Sequence, residues 1–189
     1  VGRTPPWERM FHRYPTLEWA DKLSPEQAAF MAGYICHLQA DIIWITDLFV
    51  PYFLPLMRYT KRRQVGFIHN VMRSWLDEQI VPHLAKDVSP RLEGAQPNGW
   101  LPFVQSRFLL EWRSYLAGQL APGAKSQTVE VFAARAHMPV ESFFELMHSD
   151  ARMEAEVFSV IPQVVLVEYR QKLVHANTEL LQSYLADVT

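Results

Sequence analysis

Apolar residues recur three and four positions apart through most of this chain, and no segment sustains the apolar-polar alternation of a half-buried strand. The pattern predicts an all-α fold, a multi-helix bundle. Ser24-Pro25-Glu26-Gln27 reads as a capping box with proline at the first helical position. It opens a helix running to about Phe49, before Pro51, and the run FMAGYICHLQADIIWITDLF within it is apolar enough to predict the buried centre of the bundle. Pro51 and Pro55 leave room for a short turn around PYFLPLM, and a further helix spans roughly Arg63 to Leu84 with Phe67, Val71, Trp75 and Ile80 on one buried face.

Breakers then crowd the chain. The stretch 85–102 carries several of them and the turn dipeptide Asn98-Gly99, which predicts a long surface loop. Helices are expected from Pro102 to Leu120, ended by Pro122-Gly123, from Ser126 to His137 and from Pro139 to His148. Another begins after Ser149, and a last one runs from Pro162 to about Ala186. With no internal repeat and no low-complexity tract, residues 1–189 read as a single all-α domain.

Charge and composition narrow the function classes. About half of the 189 residues are apolar, enough to bury a substantial core, and a net charge of −2 gives no general attraction to phosphate backbones or anionic lipid. Nucleic acid is not expected as a partner. The single cysteine, Cys36, excludes an intramolecular disulfide and a cysteine-built zinc site, so any metal must be held by His, Asp or Glu. The apolar stretch Ala28 to Phe49 has the length of a membrane span, but His37, Gln39, Asp41 and Asp47 are expensive in lipid and no transmembrane segment is expected. The first residue is Val1, with no signal segment after it, which suggests a processed chain or a fragment. The compartment stays open, with the cytoplasm favoured.

The residues with the most chemistry are His37 and Asp41, one helical turn apart in the apolar run. Burying two ionisable groups there requires a partner, and two readings stand: a metal ion, or neighbouring polar groups that satisfy a core pair. Helical geometry puts Gly33, His37, Asp41 and Trp44 on one stripe. A catalytic metal centre needs a third protein ligand, and the nearest upstream supplier is His12 in MFHRYP. His69, Arg73 and Asp77 share a face of the following helix, with packing or surface solvation as the alternative reading for each.

The segment MFHRYP, followed by FMAGYICHLQADIIW, resembles the metal-binding part of the zinc-dependent phospholipase C family, an all-α family related to single-strand-specific nucleases. The resemblance covers about the first third of the chain. Gly33, Tyr34, His37 and Asp41 fill the family's Gly-aromatic-x-x-His-x-x-x-Asp pattern, and His12 fills the histidine before an aromatic. It implies zinc held by His12, His37 and Asp41, with His69 a further ligand or proton carrier, and a metal-dependent phosphoesterase acting on a small phosphoester or phospholipid. The family's ligand upstream of the first histidine falls before Val1, and its His-x-x-x-Glu pair is absent from the corresponding helix. His175 and Glu179 have that spacing at the far end of the chain and read as coincidence.

Two other classes compete with an enzyme. VEVFAARAHMPVESFFELM has the rhythm of a helix-turn-helix, but its second helix carries Glu141 and Glu145 and no basic residue, which disfavours DNA. Six tryptophans and eleven phenylalanines exceed what a small bundle needs to fill its core, so a catalytically inactive, homo-oligomeric or protein-binding helical module is the alternative.

Overall fold

The computed structural model describes residues 4–124 and 127–186, and every regular element among them is helical. The helices are α1 (Pro6–Arg13), α2 (Pro25–Ile43), α3 (Arg62–Ile80), α4 (Val88–Gly94), α5 (Ser106–Leu120), α6 (Thr128–Ala136), α7 (Val140–Met147), α8 (Asp150–Arg152) and α9 (Gln163–Tyr184). The chain divides into two compact units. One comprises Val1–Val50, Pro97–Ser106 and Val164–Thr189, and the other Pro51–Gln96 and Arg107–Gln163.

In the first unit, α2 begins as its sequence dictates. The Ser24 side chain accepts a hydrogen bond from the Gln27 backbone N–H, satisfying one of the donors that a helix start leaves open. The Gln27 side-chain amide donates to the Trp100 carbonyl at 3.0 Å, tying the first turn of α2 to the segment before α5. Ala28, Met31, Ala32, Ile35 and Ile43 form the buried stripe of α2. Trp44 meets the ring of Tyr169 on α9 edge-on at 5.4 Å, and the Tyr184 hydroxyl donates to the Leu17 carbonyl at 2.9 Å.

The helix does not stop near Phe49. It widens into a π-helical stretch, Trp44–Phe53, which carries Pro51 inside it. A proline in an α-helix lacks a donor and clashes with the carbonyl four residues back, and the wider i→i+5 turn gives its ring room. The expectation of a buried central helix is also corrected. The run Pro25–Arg58 is long and apolar enough to cross a membrane by length and composition, yet only 17% of its most apolar window is buried.

The second unit packs α3 against α6 and α7. Phe67 and Phe143 meet edge to face at 4.9 Å in a core that includes Val71, Met72, Ala133 and Leu146. Ile80, expected on the same face, is 40% exposed. At 100° per residue it lies about 220° around the helix from Phe67, so the apolar spacing does not bring it back to the core. The stretch 85–102 is not a continuous loop. It contains α4, where the buried Ser89 hydroxyl donates to the Ala117 carbonyl of α5 at 2.9 Å.

The α5 helix starts at Ser106, after turns that hold Pro102, and Gly123 follows it at φ +79°. The predicted start at Ser126 lies outside the described residues. The helix-turn-helix rhythm folds as two short helices joined by His137 in the left-handed region at φ +50°, both packed on α3. Arg63 of α3 donates to the carbonyls of Ala136 and His137, tying the corner down.

Candidate functional site

Around α2 the buried residues cluster near the direction of Ile35. Gly33, His37 and Asp41 lie at about 160°, 200° and 240° from it, which is the opposite face. Their side chains are accordingly exposed, at 67% for His37 and 61% for Asp41. This corrects the expectation of a buried ionisable pair: apolar neighbours on the flanks make the run look enclosed, but the pair itself faces outward. The burial cost that called for a partner does not arise.

His37 Nε2 lies 3.5 Å from Asp41 Oδ2. That exceeds ordinary hydrogen-bonding distance. It is close to the separation of about 3.4 Å that two donors at ordinary zinc distances keep at a tetrahedral angle. Among the described residues, a Cβ added at Gly33 would meet nothing within 4 Å, so the helix face is open at the glycine itself. The donor pair thus fits two positions of a divalent metal ion. The same spacing and separation recur at His175 and Glu179 on α9, 3.5 Å apart and equally exposed, so helical i,i+4 geometry supplies such a pair without further design.

The other predicted ligands are placed differently. His12 is exposed in the last turn of α1, a helix that packs on α2. Among the described residues no three His, Cys, Asp or Glu side chains gather as a metal-holding group, so His12 does not join His37 and Asp41 in this arrangement. His69 belongs to the second unit, where its ring meets Phe53 edge-on at 4.8 Å. Desolvation, with the Arg73 guanidinium nearby, pushes its pKa down to about 4. Arg73 also sits over the Phe132 ring at 4.7 Å.

Asp77 reaches solvent, but partial desolvation against the neighbouring helices raises its pKa, with a hydrogen bond from Thr128 and the charge of Arg73 opposing the shift. The spacing of His69, Arg73 and Asp77 signals a shared face. It gives no sign that α6, far along the chain, brings Thr128 to Asp77.

No known family model, curated protein or solved structure matches the chain.

Proposed function

We propose that this protein is a metal-dependent phosphoesterase similar to the zinc-dependent phospholipase C family, with His37 and Asp41 supplying two zinc donors. What supports the reading is the Gly-aromatic-x-x-His-x-x-x-Asp pattern filled by Gly33, Tyr34, His37 and Asp41, with its two donor side chains exposed and 3.5 Å apart. His12, at the exposed end of α1, is the third donor that the resemblance supplies, and it must be drawn toward the pair for the centre to form. His69, the further residue that the resemblance offers, belongs to the second unit and is left out of this donor set. Zinc bound there would lower the pKa of its water and offset charge on phosphoryl oxygens of a small phosphoester or phospholipid.

Elemental analysis of the purified chain tests this, alongside the double variant His37→Ala/Asp41→Ala and a hydrolysis assay with bis(p-nitrophenyl) phosphate. The expected result is about one zinc or more per chain, lost in the variant together with hydrolysis. Failure to take up stoichiometric zinc, or zinc retained by the variant, would overturn the reading.

A second reading, an oligomeric or protein-binding helical module without turnover, is favoured by a separate observation. Phe108, Trp112 and Tyr115 share one stripe of α5 and are 50%, 59% and 37% exposed. Large aromatic side chains left in water on one helix face are the composition of an interface core.

A further inference from the structure

A pocket of about 420 Å³ opens in the second unit between the C-terminal half of α3, the start of α6 and α7. Ser74, Asp77, Glu78 and Val81 follow the i, i+3, i+4, i+7 spacing of one face of α3 and its continuation, so a single stripe supplies one wall. Thr128, Val129 and Glu130 from α6 and Phe144 from α7 supply the rest.

Two features of this pocket require explanation. Ser74, a residue of the cavity wall, is 2% exposed, and its buried hydroxyl meets no hydrogen-bond partner among the described residues. An unmade bond at a buried hydroxyl is costly, so such groups are ordinarily satisfied by protein, water or ligand. The walls also carry an excess of negative charge. Asp77, Glu78 and Glu130 line the pocket, and among the described residues Arg73 acts on Asp77 from one turn before it and His148 Nε2 lies 3.3 Å from Glu78. Three carboxylates against one arginine and one histidine leave these groups with a net negative charge.

The occupant should therefore be cationic and should donate hydrogen bonds. Among the described residues no three carboxylate, imidazole or thiol groups gather to hold a metal ion, and Val81, Pro82 and Phe144 give the pocket apolar walls. We propose that this pocket binds a primary organic ammonium, whose N–H groups are taken by the Asp77 carboxylate and the Ser74 hydroxyl oxygen and whose hydrocarbon body lies against Val81 and Phe144. Glu78 and Glu130 contribute the attracting field at the mouth. The arrangement is independent of His37 and Asp41, which lie in the other unit.

The probe is 2-phenylethylammonium, titrated calorimetrically into the intact protein, with its N,N,N-trimethyl analogue as the ion that cannot donate. Saturable 1:1 binding is expected, with a Kd below about 1 mM. Binding should weaken about tenfold in Asp77→Asn and for the trimethyl analogue, as expected for loss of a charge-assisted hydrogen bond. Ser74→Ala should weaken it by about threefold, and Glu168→Gln, on α9, should leave it unchanged.

Should Asp77→Asn lose helical circular dichroism, Glu130→Gln at the exposed rim replaces it, with a loss of about threefold expected from the field alone. Absence of saturable binding, or an affinity the same in Asp77→Asn and Glu130→Gln as in the parent, would overturn the site. Equal affinity for the trimethyl analogue would overturn the hydrogen-bonded ammonium.

Discussion

At the scale of single residues, His69 carries a measurable consequence. Its pKa falls from 6.5 to about 4 in the folded chain because desolvation and Arg73 both disfavour the imidazolium. Folding therefore stabilises the neutral ring. That contribution is fully present above the unfolded value of 6.5, is lost as pH drops from 6.5 toward 4 while the unfolded chain protonates first, and does not change further below that range. The whole effect is about 3 kcal/mol. In His69→Leu, which keeps an apolar partner for Phe53, unfolding free energies measured by urea titration between pH 7.5 and 4 should decline less than the parent's by about that amount. Parallel pH profiles for the two proteins would show that His69 titrates normally in the fold. The residue-scale error concerning His37 and Asp41 has the opposite origin. Their spacing and shared stripe were legible, but a run apolar on both flanks concealed which side of the helix met water.

Elements were legible where local chemistry sets them. Ser24 and Pro25 define the start of α2, and Ser149 starts α8 by accepting a hydrogen bond from the Arg152 N–H. Ends were harder to read. Pro51 looks like a terminator in sequence, and only the π-helical widening shows how the helix continues through it. The α6 to α7 corner shows the same limit. His137 occupies the left-handed position that closes α6, where a side chain is disfavoured and glycine is the usual residue. Arg63 reaches this corner from α3 through backbone carbonyls, so the His137 imidazole is not what anchors it. His137→Gly should therefore keep the corner and raise stability by about 0.5–1 kcal/mol, less whatever the freer unfolded chain takes back. A denaturant midpoint below the parent's would mean that the imidazole itself holds the turn.

For the whole molecule, the all-α class was legible from periodicity because amphipathic spacing reports burial summed over many residues, whereas the grouping of helices depends on contacts between distant segments. Nothing local tells α3 that α6 and α7 will cover it, or Tyr184 that it will donate to Leu17. The aromatic surplus could be counted in the sequence but not located. In the structure, Phe108, Trp112 and Tyr115 form one exposed stripe, with Trp112 and Tyr115 rings 5.4 Å apart. Burying such a ring in an interface yields more free energy than most contacts around it, so a single substitution should decide whether this stripe mediates assembly. If two copies meet there, sedimentation of the parent should show a concentration-dependent rise in mass. Trp112→Arg should shift the dissociation constant upward by at least about 2 kcal/mol while leaving helical circular dichroism unchanged, because Trp112 lies outside the core. A parent that stays monomeric at high concentration would remove self-association from the oligomeric reading. A dimer indifferent to Trp112→Arg would place the interface on another face of the chain.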